Sequence, residues 1–109
     1  MRLIAKIKNN PKVKRAMLYD LEDGCYLFLY DQEKDSSSTH DYLQDSIATA
    51  KEMARLDFGV EENEWSEIPD PLPSCQHDWI SPVRVTGRLE GKPKWGVYEV
   101  LQDGEWKPI

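Results

Sequence analysis

Residues 14–30, KRAMLYDLEDGCYLFLY, decide the fold because they read as two apolar strands joined by a tight turn. Asp23-Gly24 is a pair that two-residue hairpin loops favour, since these loops need positive φ, which Gly adopts freely. Successive side chains alternate between the two faces of a strand, and both faces of this hairpin are apolar. The stretch therefore predicts a central hairpin that needs cover on both sides.

The residues before the hairpin predict a short strand. Leu3, Ala5 and Ile7 alternate with basic side chains, which is typical of an edge strand whose outward lysines discourage pairing with another sheet. Asn9-Asn10-Pro11 then predicts the turn that leads into the hairpin.

A third strand and a helix are predicted after the hairpin. His40 to Gln44 favours a brief strand with Tyr42 facing the interior. Asp45 or Ser46 can cap the first turn of a helix, and Gly59 is placed to end it in the left-handed conformation. The apolar stripe of this helix consists of Ile47, Ala50, Ala54 and Phe58.

The last part of the chain predicts more β-structure after an irregular connector. Trp65 to Ile68 favours a fourth strand, and the prolines that follow mark residues 69–82 as an extended connector. A proline-rich ligand is the alternative, but the proline spacing is not that of PxxP ligands. From residue 83 the pattern predicts a β-meander, and the tryptophans that we expect to cover the second face of the hairpin sheet are Trp79, Trp95 and Trp106.

These elements predict an α+β fold in one domain spanning residues 1–109, with the 69–82 connector inside it. The sheet is antiparallel and built on the central hairpin. One main helix lies on one face, and the C-terminal β-meander with its tryptophans covers the other.

The run from Tyr42 to Ile68 carries a resemblance. Its segments YLQDSI, FGV and WSEI are similar to a strand-helix-strand pattern of small bacterial α+β proteins, most of them uncharacterised. The resemblance spans about a quarter of the chain and implies a strand, a helix and a Trp-containing strand in that order. Its motifs are structural, so it implies no activity.

Charge argues against two classes of partner. Fourteen Lys and Arg face twenty Asp and Glu, for a net charge of −6, whereas nucleic-acid and anionic-membrane binders use an excess of positive charge. The chain has no apolar run long enough for a membrane span and no signal-peptide pattern, so we expect a cytoplasmic protein. Six of the basic residues fall within the first fifteen positions, a distribution typical of a solvated edge.

The strongest functional hypothesis is a protein-binding or inhibitor-like module. The segment around Trp65 is acidic and would meet a basic protein partner through opposite charge. Inhibitors of basic nucleases, including toxin-neutralising immunity proteins, are one class that fits. The candidate partner-binding residues are Glu61, Glu62, Glu64, Trp65 and Glu67.

Two other hypotheses remain open. Cys75, His77 and Asp78 lie close together in sequence and indicate a metal-binding or hydrolytic site as an alternative. Cys75 and His77 alone could not hold Zn²⁺, which would need at least one or two further ligands. A self-associating structural domain would bury a sheet face against a second copy, so a monomer and a homodimer are both compatible with the pattern. No catalytic residue and no cofactor motif is recognisable, and an enzyme is the less favoured class.

Overall fold

The computed structural model describes residues 1–109, which form two compact units, Met1–Asp70 and Pro71–Ile109. The two units contain two antiparallel sheets and one α-helix, so the α+β class is confirmed. The boundary falls within the proline-rich stretch, and the single domain over 1–109 stays a prediction. The elements are β1 (Arg2–Lys6), β2 (Arg15–Leu21), β3 (Gly24–Tyr30), β4 (His40–Gln44), α1 (Ile47–Phe58), a 3₁₀ turn (Glu62–Glu64), β5 (Ser66–Ile68), β6 (Val83–Val85), β7 (Tyr98–Gln102) and β8 (Glu105–Pro108).

The central hairpin is confirmed, but its turn lies one residue earlier than the sequence predicts. Leu21 pairs with Gly24, so the loop residues are Glu22 and Asp23. Gly24 is needed for another reason, since a Cβ at this position would lie 2.7 Å from the carbonyl oxygen of Gln44. The glycine therefore permits the close approach of β4 to β3.

The helix α1 covers one face of the first sheet, within the bounds that the sequence predicts. The Ser46 side chain accepts a hydrogen bond from the Thr49 N–H at 3.2 Å, and Gly59 ends the helix with φ 70. Ala50 and Ala54 are fully buried, which allows the helix to approach the sheet closely. The sheet residues that form the core beneath it include Leu3, Ala5, Ala16, Leu18, Cys25, Leu27 and Leu29.

The first strand is internal, which corrects the prediction of an edge strand. The sheet order is β4-β3-β2-β1-β5, so β1 lies between β2 and β5, and Arg2 pairs with Ile68. The sequence pattern misses this pairing because β5 lies more than fifty residues further along the chain. The true edges are β4, which is five residues long, and β5, which has only three residues.

The opposite face of the hairpin is also buried, as its apolar pattern predicts. Met17 and Tyr30 are fully buried, and Phe28 is 8% exposed. The Tyr26 and Phe28 rings stack at 5.6 Å. Arg15 is buried as well, with its guanidinium 3.7 Å from the centroid of the Tyr30 ring, a cation–π contact that the sequence did not suggest. Tyr42 pairs with Leu27 and so lies on the predicted, helix-covered face, but its place on the edge strand leaves it 39% exposed.

The second unit contains the predicted meander, with strand order β6-β7-β8. Asp103 and Gly104 both have positive φ and join β7 to β8 in a two-residue loop, as Asp-Gly pairs do. Arg84 pairs with Glu99 at 2.5 Å and lies over the Trp106 ring at 3.9 Å. Trp95 lies outside the strands and is 74% exposed, so it does not serve as cover. Cover by Trp79 and Trp106 stays a prediction.

Candidate functional site

The acidic segment, residues 61–67, is fixed at both ends by the fold of the first unit. At its start, the N–H of Val60 donates to the carbonyl of Ala54, and the Val60 side chain is 2% exposed. At its end, β5 pairs with β1. Between these anchors the carboxylate of Glu64 accepts a hydrogen bond from the N–H of Glu61 at 3.1 Å, which orders the 3₁₀ turn.

Two of the candidate glutamates already have a cation from elsewhere in the unit. The Lys51 amine lies 2.6 Å from Glu62, and the Lys8 amine lies 3.6 Å from Glu64. Glu62 and Lys8 are about three-quarters exposed, so solvent screens both pairs and each contributes at most about 1 kcal/mol to stability. These contacts partly neutralise the acidic segment.

Glu61 and Glu67 have no direct ion pair, although Arg55 lies close enough to Glu61 for this carboxylate to help raise the pKa of Arg55. Both are exposed, and neither forms an ion pair with a Lys or Arg. The sequence between Arg55 and Arg84 contains no Lys or Arg. These two carboxylates are therefore the members of the acidic segment best suited to meet a cation from outside the chain.

Trp65 forms part of a groove between α1 and the acidic segment. Its ring packs against the core, while its Nε1 atom is buried and has no hydrogen-bond acceptor. The groove has a volume of about 410 Å³, and its apolar residues include Ile47, Val60 and Trp65. The charged residues that line it are Lys51, Glu52, Arg55, Glu61 and Glu62.

The charges around this groove are arranged as two internal pairs and one remaining acid. Arg55 donates to both carboxylate oxygens of Glu52, at 2.7 and 3.1 Å. These hydrogen bonds lower the pKa of Glu52, and Glu52 in turn raises the pKa of Arg55. Lys51 is paired with Glu62, so Glu61 gives the groove a net negative charge.

The structure therefore places the predicted partner-binding residues at different sites on the surface. Glu61, Glu62 and Trp65 line one groove, whereas Glu64 lines a separate cavity of about 370 Å³ that contains Lys6 and Lys8. Glu67 lies on the edge strand β5.

Sequence reasoning missed Glu52 and Arg55. Their i, i+3 spacing on a predicted helix was the available signal, because residues so spaced are neighbours on a helix surface.

The alternative site around Cys75 combines a buried thiol with an exposed imidazole. Cys75 is 4% exposed, and burial raises the pKa of its thiol, with a smaller opposing effect from Arg84. Its N–H donates to the carbonyl of Leu72, and the next N–H, of Gln76, donates to Val83. His77 is exposed, and no group of three His, Cys, Asp or Glu residues is arranged to hold a metal ion. A buried protonated thiol is a poor nucleophile.

Both cysteines should behave as inert core thiols. Burial raises the pKa of Cys25 from 9.0 to about 11, so its thiolate fraction at pH 8 falls about 100-fold. We expect Ellman's reagent to label neither thiol in the native protein at pH 8, and both after unfolding in guanidinium chloride. Fast native labelling that persists in a Cys25→Ala variant would mean that Cys75 is accessible and reactive.

No helix of the structure combines the length and the apolar character needed to cross a membrane. No protein-family model, no curated protein and no solved structure matches this chain.

Proposed function

We propose that this chain is a protein-binding module that holds a basic, partly apolar segment of a partner protein in the groove beside Trp65. The observation that carries the proposal is the charge arrangement of that groove. Each of its two cations is paired with another acid, and Glu61, which has no direct ion pair, lies beside an apolar surface. Such a groove suits a Lys or Arg side chain next to an aliphatic one.

The apolar surface and the charges of the groove make different contributions to binding. An aromatic ring in a concave site can remove a partner side chain from water, which is how a few residues supply most of the energy of an interface. Acidic groups with unpaired charge favour basic partners and accelerate encounter. The net charge of −6 adds a long-range electrostatic attraction toward the same basic partners.

The partner class that fits best is a basic protein that acts in the same compartment, which we take to be the cytoplasm. A nuclease is one example, because an enzyme that binds nucleic acid has a basic surface at its substrate site. A module with opposite charge that occupies this surface would act as an inhibitor.

The test is capture of a basic partner at two salt concentrations, with a matched pair of variants. In the Glu61→Gln/Glu67→Gln variant two charges without a direct ion pair are lost, and in the control Glu90→Gln/Glu105→Gln two exposed acids of the second unit are lost. We expect the first variant to weaken binding about three- to tenfold at low salt, as for loss of two exposed charge contacts. Isothermal titration calorimetry with a captured partner measures this difference.

Two results would contradict the proposal. An equal loss in both variants would show that only the net charge matters, and no enrichment of any basic protein at low salt would remove its main support. High salt should weaken binding of the wild type more than binding of the Glu61→Gln/Glu67→Gln variant, because salt screens the charge contacts that the variant has already lost.

A further inference from the structure

The edge strand β4 is open along its outer side. It pairs only with β3, and it is the terminal strand of the five-stranded sheet. In an antiparallel sheet every second residue directs its N–H and C=O away from its partner strand, so β4 presents a row of backbone groups to the outside. Residues 40–43 are all exposed, and Leu43 is 60% exposed.

Two features by which proteins protect sheet edges, a lysine or proline on the strand and an irregular register, are absent from β4. Its sequence, HDYLQ, has no lysine and no proline, and its five residues pair with β3 in an uninterrupted register. The other edge is different, because β5 has only three residues and Pro69 follows it directly. An edge with exposed Tyr42 and Leu43 on its two faces is able to take another strand.

The charge around β4 selects the occupant. Asp41 lies on the strand, and Asp45 follows it. The β2–β3 loop next to the end of β4 adds Glu22 and Asp23, both exposed. The strand has His40 but no Lys or Arg, so pairing with β4 of a second copy would offer Asp41 and Asp45 no Lys or Arg side chain. A strand with Lys or Arg opposite Asp41 is favoured instead.

We propose that β4 accepts an extended basic segment of a partner protein as a sixth strand of the sheet. The backbone of the segment pairs with the outer N–H and C=O groups of β4. Its basic side chains face Asp41, and its apolar side chains lie beside Tyr42. This surface is at the opposite edge of the sheet from β5, and it shares no residue with the Trp65 groove.

The test uses three short blocked peptides and the ¹⁵N-labelled full chain. The first peptide alternates lysine with valine, the second alternates glutamate with valine, and the third has proline in place of the valines. We expect amide shifts at residues 40–44 with the first peptide alone. The proline peptide should bind at least about tenfold more weakly, since it cannot donate the pairing hydrogen bonds. Addition of salt should weaken the binding of the first peptide.

Two leucine variants give a matched control. Leu43→Lys places a positive charge on β4 and should weaken the lysine-valine peptide about three- to tenfold, because it opposes the basic strand. Leu56→Lys makes the same change at a position on α1 that is 67% exposed, and should leave binding unchanged.

Equal binding of all three peptides, or shifts confined to residues outside 40–44, would overturn the proposal. So would the absence of binding, or a dimer in sedimentation equilibrium that Leu43→Lys dissociates. In that last case a second copy, not a basic segment, is the occupant.

Discussion

A Leu27→Ala variant is expected to lose about 3 kcal/mol of unfolding free energy, because the substitution leaves a cavity in the middle of the core. Leu27 is fully buried at the centre of β3, where it pairs with Leu18 on one side and with Tyr42 on the other. It belongs to the same core cluster as Ala50 and Ala54 of α1. Domains of this size have a total stability of about 5–15 kcal/mol, so a loss of this size is a large part of the whole.

Urea unfolding followed by circular dichroism measures this change. The matched control is Leu43→Ala, the same substitution at a position on the edge strand that is 60% exposed, which should change stability by less than about 1 kcal/mol. Losses of similar size in the two variants would contradict the position that we assign to Leu27 at the centre of the core.

A Gly87→Ala variant should have the second large effect, and it tests the meander in the second unit. Gly87 has φ 78, a conformation that costs an L-residue about 1–2 kcal/mol. A Cβ at this position would also overlap the carbonyl oxygen of Lys92. The N–H of Lys92 donates a hydrogen bond to the Gly87 carbonyl at 2.9 Å, which holds the two residues close together. Relief of the overlap requires this turn to open, so we expect a total loss of about 3 kcal/mol or more.

Gly91→Ala separates the two contributions, because Gly91 has φ 72 but a Cβ there would meet no atom within 4 Å. This variant should lose only the conformational part, about 1–2 kcal/mol. Hydrogen exchange at the amides of Thr86 and Lys94, which bond across the turn, reports the stability of the meander in each variant. If Gly91→Ala exchanges as fast as Gly87→Ala, the overlap with Lys92 is not the cause.

Local signals in the sequence were sufficient for the helix and for most strands. Ser46 and Gly59 mark the ends of α1 because capping depends on neighbouring backbone groups alone. The strand over His40–Gln44 likewise lies where the local pattern predicts it.

Contacts between distant parts of the chain were what the sequence could not supply. The pairing of β1 with β5 and the approach of β4 to Gly24 both depend on tertiary structure.

The same distinction applies to the candidate site. An acidic run around Trp65 was evident from composition, and its glutamates are indeed largely exposed. Which of them have no direct ion pair depends on Lys8 and Lys51, which are distant in sequence and become neighbours only in the fold. The groove itself depends on the packing of α1 against residues that follow it, and periodicity alone cannot reveal a concave surface.

The strand order of the first sheet has a consequence for folding kinetics. Three of its four pairings join strands that follow one another along the chain, so little loop-closure entropy is lost when they form. The fourth, between β1 and β5, closes a loop that contains everything in between, and we expect it to form last and to open first. Local unfolding at that edge would then release Trp65 and the glutamates around it together. Amide hydrogen exchange at β5 would therefore report how often the groove opens.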